Sequence, residues 1–217
     1  MVRKLFCLLL LAFALNSIAF AQLGIRAGVN MANHIKSFRK QDIIAGFKTE
    51  NLTGYQIGLT YQIFSQRSPM SLGSDVGIFV SQKGFAYADS TKLVDIVTLG
   101  YKEINYLELP VNLRFRFSHK LIGAYATSGF YAGYVMNGKS VNETNDLTEN
   151  LSFSSVIDRF DYGYCIGAGI EFFKKINVGL SWTQGLKNLM NQKSVNLPTE
   201  NDKDNRVFSV NLTYIIK

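Results

Sequence analysis

The sequence predicts an all-β fold, namely an eight-stranded antiparallel transmembrane β-barrel. Three observations lead to this prediction. Eight segments alternate apolar and polar residues, the connections between them alternate between short and long, and no segment beyond the N-terminus has the ~18 consecutive apolar residues of a transmembrane helix. An apolar residue at every second position is typical of a strand with one apolar and one polar face.

The N-terminus predicts export. Arg3 and Lys4 precede an apolar run, Leu5–Leu15, which is shorter than the ~20 residues needed to span a bilayer. Ala19-Phe20-Ala21 then places small residues where a signal peptidase reads the chain. We therefore predict a cleaved signal peptide over residues 1–21; an uncleaved anchor is the alternative.

The mature chain, residues 22–217, is long enough for one domain. Removal of the signal lowers the net charge from +7 to +5, because the signal carries two basic residues and no acidic one. The remaining basic residues are scattered, so we expect no nucleic-acid partner. Cys165 is the one cysteine left, which excludes an internal disulfide.

The first four predicted strands cover residues 23–32, 52–64, 70–86 and 100–117. Each has an apolar face, formed by alternate residues between Leu23 and Met31, Tyr55 and Ile63, and Leu107 and Phe117, and in the third strand by Leu72, Val76, Ile78 and Val80. The fourth strand is the most regular, since its opposite face carries Glu108, Asn112, Arg114 and Arg116. This alternation places the two faces of each strand in different environments.

The last four predicted strands cover residues 122–137, 159–173, 175–185 and 206–216. In the sixth to eighth, the apolar faces are formed by alternate residues between Tyr162 and Phe172, Ile176 and Trp182, and Phe208 and Ile216. The fifth strand is rich in tyrosine and small residues on both faces. Every segment reaches the ~9–11 residues of a tilted membrane strand.

The connections distinguish the two ends of the predicted barrel. Those after strands two, four and six are short, at 65–69, 118–121 and 173–175. The others are long, at 33–51, 87–99, 138–158 and 186–205. Short periplasmic turns and long outer loops are typical of barrels in the outer membrane of Gram-negative bacteria. A soluble eight-stranded barrel is the alternative, and it would place its apolar residues inside.

Glycine indicates which face points inward, because Gly28, Gly58, Gly77, Gly129 and Gly167 fall on polar faces and would relieve a crowded interior. We therefore predict apolar faces outward and polar faces inward. The inward charged residues should form a polar network in the lumen, consisting of Arg26, Asp75, Glu108, Arg114, Arg116, Asp161 and Glu171. Opposite charges should pair there and plug the barrel. A gated polar path is the alternative.

The chain contains five further segments in this order: Phe79-Val-Ser-Gln-Lys-Gly84, Tyr106-Leu-Glu-Leu-Pro110, Gly129-Phe-Tyr-Ala-Gly133, Gly167-Ala-Gly169 with Glu171, and Gln184-Gly-Leu-Lys-Asn188. Together these segments resemble the PorT-like outer-membrane β-barrel family of the Bacteroidota. The resemblance implies an eight-stranded outer-membrane barrel. Its typifying member assists export through the type IX secretion route. One departure is the C-terminus, where Tyr214 precedes Ile-Ile-Lys rather than ending the chain.

For function, the residues favour a non-enzymatic structural or accessory barrel, and the resemblance implies a role in supporting secretion or surface assembly. A small pore is the second hypothesis and a lipid-modifying enzyme the third. An enzyme would need a nucleophile and base at the outer rim, where His34 and Ser37 are the candidates; His119 falls in a predicted periplasmic turn. We predict no catalytic, cofactor or metal residues. The expected partners are outer-membrane lipid, lipopolysaccharide, the outer-membrane assembly machinery and secretion-system components.

Overall fold

The computed structural model describes residues 20–34, 48–64, 69–91, 96–151, 156–186 and 205–216. These residues form nine strands and one 3-10 turn, Ile157–Arg159. The strands are β1 Phe20–His34, β2 Lys48–Phe64, β3 Met70–Thr91, β4 Ile96–His119, β5 Ile122–Asn142, β6 Leu147–Asn150, β7 Phe160–Phe172, β8 Ile176–Gly185 and β9 Asn205–Ile215. The predicted signal peptide lies outside the described residues, except that Phe20 and Ala21 begin β1.

Eight of the strands close into an antiparallel ring in the order β1-β2-β3-β4-β5-β7-β8-β9. The register shows the closure directly, since Val29 of β1 is opposite Tyr55 of β2 on one side and Val210 of β9 on the other. The short β6 pairs with β5 alone and lies outside the ring. The predicted eight-stranded barrel is confirmed. Within the described residues, no helix has the length and apolar character needed to cross a membrane.

The apolar faces of the strands point outward and the polar faces point inward, which is the reverse of the arrangement in a soluble barrel. Lipid-facing side chains such as Leu113 and Phe130 are 63% and 70% exposed, whereas Arg114 between Leu113 and Phe115 is fully buried in the lumen. Apolar side chains cover the outside of all eight ring strands. So large an exposed apolar surface requires lipid as its solvent. The predicted orientation is confirmed, and the soluble alternative is excluded.

The predicted long loop at 87–99 is wrong. β3 continues to Thr91 and β4 begins at Ile96, and the two strands stay paired as far as Thr91 and Ile96. Part of the predicted loop 138–158 is also strand, because β5 continues to Asn142 and pairs there with β6. These segments lie beyond the apolar belt. A strand whose outer face meets water does not need an apolar residue at every second position. The polar residues of these segments therefore gave a sequence pattern like that of a loop.

We call the projecting part of the sheet the extracellular wall, formed by residues 48–51, 85–91, 96–105, 137–142 and 147–150. A β-bulge at Met136 shifts the β4–β5 register where the wall begins. Where the wall meets the lumen, Ile104, Tyr106 and Val135 are buried together, with Leu151 packed against them. This apolar cluster, which we call the apolar cap, lies one level above the charged lumen.

Candidate functional site

All seven charged residues predicted to line the lumen point inward, and they come from four strands: Arg26 from β1, Asp75 from β3, Glu108, Arg114 and Arg116 from β4, and Asp161 and Glu171 from β7. Sequence reasoning missed an eighth, Lys83, whose side chain is 3% exposed. Lys83 has the same parity as Asp75 on β3, so the alternation would have found it. These eight groups carry four positive and four negative formal charges, and Lys102 of β4, which is 6% exposed, adds a further buried positive charge nearer the extracellular wall.

The central layer of the lumen is organised around Asp75. Arg26 Nη2 and Arg114 Nη1 lie 2.8 and 3.2 Å from Asp75 Oδ2, and Thr60 Oγ1 donates to Asp75 Oδ1 at 2.6 Å. Arg26 also donates from Nε to Thr213 Oγ1 at 3.0 Å, which links β1 to β9. One buried carboxylate on β3 therefore ties together β1, β2 and β4, and the Arg26–Thr213 bond extends the link to β9.

Small residues make room for the large ones in this layer. The Arg114 guanidinium carbon stacks 3.6 Å from the ring centroid of Tyr125. The Tyr125 hydroxyl occupies space that a Cβ at Gly169 or Gly179 would enter. The glycines of β7 and β8 thus let an arginine and a tyrosine fill the centre of a narrow barrel.

A second layer lies nearer the short turns. Arg116 Nη1 is 3.8 Å from Glu171 Oε2, and Arg116 Nε donates to Ser71 Oγ at 3.3 Å. The same guanidinium stacks 3.9 Å from the centroid of the Phe64 ring. This layer adds a second pairing of charges, between β4 and β7.

A third layer lies nearer the extracellular wall. Lys83 forms an ion pair with Glu108, and its ammonium lies 4.7 Å from the Tyr131 ring centroid. The Tyr131 hydroxyl donates to Asp161 Oδ2 at 2.9 Å. Glu108 and Asp161 are brought level because both are opposite Gly133 of β5 in the strand register. The apolar cap covers this layer from outside.

Between the central and upper layers lies a cavity of about 80 Å³, lined by polar groups that include Gln56, Asn112, Cys165 and Asn211. This volume is enough for a few water molecules. Cys165 Sγ donates to Asn112 Oδ1 at 2.8 Å. The cavity therefore separates two charged layers of the lumen.

Two of the three residues considered for catalysis have no described side chain. His34 ends β1 without a described side chain, and Ser37 lies outside the described residues. His119 is exposed at the end of β4, beside a short turn. Among the described residues, no group of three or more His, Cys, Asp and Glu side chains is placed to hold a metal ion.

One ion pair lies outside the membrane, on the outer face of the extracellular wall. Lys139 Nζ is 3.0 Å from Glu103 Oε2. The pKa of Lys139 is raised, because its ammonium is hydrogen-bonded to the Glu103 carboxylate and attracted by it. Both side chains are partly open to water, so salt should screen this pair.

Comparison with known proteins gives a family match over most of the chain. Residues 15–191 match the model described as outer membrane protein beta-barrel domain. None of the curated proteins compared with the chain matches it significantly.

Several solved structures are similar at low identity. The attachment invasion locus protein Ail of Yersinia pestis is 14% identical, with 90% of this chain and 99% of Ail covered and a TM-score of 0.45. The outer membrane enzyme PagL is 12% identical, with coverages of 88% and 98% and a TM-score of 0.49. OprG from Pseudomonas aeruginosa is 12% identical, with coverages of 91% and 92% and a TM-score of 0.44.

The strand register, the lipid-facing apolar surface and the family match agree. The chain belongs to the outer membrane protein β-barrel domain family and is located in the outer membrane of a Gram-negative bacterium.

Proposed function

We propose that this protein is a non-enzymatic structural or accessory barrel that supports protein secretion or surface assembly. The observation that carries the proposal is the filled lumen. Four acids and four bases occupy three layers, and each layer is held by residues from several strands. A protein built in this way contributes a rigid body in the membrane rather than a passage.

The extracellular wall is the part that would contact other components at the cell surface. In this wall the paired strands β3, β4 and β5 extend beyond the membrane, whereas β8 ends at Gly185. Its inner face buries Ile104 and Lys102, and its outer face carries Lys139 and Glu103. A rigid, two-faced sheet held above the membrane suits protein contact better than solute passage.

The secretion role follows the resemblance to PorT-like barrels and is tested genetically. A deletion strain should retain cargo in the periplasm, as measured by comparing its surface and culture-fluid proteomes with those of the parent. The wild-type gene should restore export. An unchanged secreted set in the deletion strain would remove the secretion role.

A variant with a shortened extracellular wall tests whether the wall itself is needed for export. Ala88 and Leu99 are opposite each other, so residues 89–98 can be replaced by Asn-Gly without changing the register. We expect this variant to fold and remain heat-modifiable on gels, but to leave cargo export unrestored. Full restoration by the shortened protein would show that the end of the β3–β4 hairpin has no part in the role.

A small pore is the second candidate, favoured by the cavity beside Cys165. In the mature chain Cys165 is the one cysteine, so its reaction with a charged methanethiosulfonate reports access to the lumen. A plugged barrel should react only after unfolding. Rapid labelling of the folded protein in vesicles would favour the pore.

A further inference from the structure

The periplasmic rim of the barrel carries an exposed cationic surface that the plugged lumen does not explain. We define the rim as Lys120 and Leu121 of the β4–β5 turn and Phe173, Lys174 and Lys175 of the β7–β8 turn. All five side chains are exposed. The rim lies at the end with short turns, which in outer-membrane barrels is the periplasmic end.

The rim is rigid, because hydrogen bonds join its turns. The Phe173 amide donates to the Leu121 carbonyl at 2.6 Å, and the Ile215 amide donates to the Lys175 carbonyl at 2.7 Å. Lys120, Phe173 and Lys174 adopt φ values of 49°, 53° and 56°. Residues other than glycine keep such angles only where the surroundings fix them. Lys120 and Lys174 therefore stand on neighbouring, fixed turns.

The charge at this end has one sign. Among the described residues near the short turns, 69–72, 117–123 and 172–176 contain no Asp or Glu. The nearest carboxylate, Glu171, points into the lumen, where it is buried beside Arg116. The three lysines therefore have no described acidic side chain at this level to neutralise them, and an anionic ligand is the complementary partner.

The position of the rim indicates which anion it meets. Leu121 and Phe173 are 61% and 63% exposed, and Ile122 and Ile176 continue them into the lipid-facing surface of β5 and β8. The apolar members thus lie at the edge of the acyl region. The lysines beside them lie at the height of the headgroup phosphates, which long basic side chains reach from a membrane boundary.

We propose that the rim is a binding site for anionic phospholipid headgroups of the periplasmic leaflet. Lys120 and Lys174 hold the phosphate between the two joined turns, and Lys175 adds a third charge. Leu121 and Phe173 contact the first carbons of the acyl chains. The site fixes the barrel's height in the membrane and leaves the extracellular wall free for other contacts.

The test uses the full mature protein in vesicles with equal amounts of phosphatidylglycerol and phosphatidylcholine. Lipids that remain bound are counted by native mass spectrometry. The wild type should retain phosphatidylglycerol in excess, by about fivefold for each contributing lysine, and salt should reduce that excess. The triple variant K120Q/K174Q/K175Q should retain the two lipids equally.

The triple variant K120R/K174R/K175R is the matched control, because it keeps the charges at the same turns. It should keep the phosphatidylglycerol excess, and heat-modifiability on gels checks that all three proteins fold. The proposal is overturned if the glutamine variant keeps the full excess. It is also overturned if the wild type shows no preference for phosphatidylglycerol.

Discussion

At the residue scale, the lumen depends on a few buried charges with several partners each. Asp75 accepts hydrogen bonds from Arg26, Arg114 and Thr60, and it is 1% exposed. Removing one member of such a network leaves the others charged and unpaired in a low-dielectric site. That penalty exceeds the net gain from forming the pair in the first place.

We therefore predict that Asp75→Asn lowers the free energy of unfolding by about 3–5 kcal/mol, because Arg26 and Arg114 lose their carboxylate. Denaturant unfolding in lipid vesicles, followed by the fluorescence of the single tryptophan, Trp182, measures the change. Glu103→Gln is the control, since its partner Lys139 is open to water and little change is expected. Equal stability of Asp75→Asn and wild type would contradict the network.

Glycine packing gives a second prediction. Gly179→Ala should destabilise the barrel by about 1–3 kcal/mol, because the added methyl overlaps the Tyr125 hydroxyl beneath Arg114. Gly133→Ala is the matched control, since its methyl meets its nearest neighbour, Tyr106, at 3.5 Å, an ordinary contact. The same unfolding assay compares the two variants. A larger effect at Gly133 than at Gly179 would refute this view of the interior.

At the element scale, alternation predicted the membrane strands well because the two faces meet opposite solvents. Residues 107–117 of β4 are strictly alternating in sequence and in burial. The same rule failed for 87–99, where the strand stands outside the lipid and its outer face can be polar. The rule does place Lys83 on the inward face with Asp75, but the predicted network did not include it. The bulge at Met136 has no signature in the sequence that we could use.

The lipid-facing surface makes its own prediction at this scale. Leu113→Arg places a charge near the middle of the apolar belt and should cost about 2–4 kcal/mol in a bilayer. Leu121→Arg, at the rim, should cost about 0–1 kcal/mol, because cost falls toward the interface. Unfolding in lipid vesicles compares them. Similar costs at both positions would mean that Leu113 does not face the acyl region.

At the scale of the whole molecule, the ring, the three charged layers and the apolar cap form one closed body. Both signs of charge could be predicted to line the lumen from strand parity alone. Their pairing could not, because it depends on how the register places residues that are far apart in the sequence at one level, as with Asp75 between Arg26 and Arg114. The charge at the periplasmic rim likewise emerges only when two distant turns are joined.

Arg114 allows the stability of the barrel and the closure of its lumen to be tested with one substitution. We predict that Arg114→Ala destabilises the barrel, because it leaves Asp75 with one arginine in place of two. The variant should still open no diffusion channel, since the layers of Arg116 with Glu171 and Lys83 with Glu108 remain. Unfolding in vesicles measures the first effect. Uptake of a small dye by the same vesicles would contradict the second.

The central claim is that the lumen is closed, and ion conductance tests it most directly. The refolded wild-type protein, checked as folded by its heat-modifiable migration, is inserted into a planar lipid bilayer under an applied voltage. The plugged lumen predicts no stable open channel, because three charged layers and the apolar cap lie in series across the path. A large, long-lived conductance from the wild-type barrel would contradict the account.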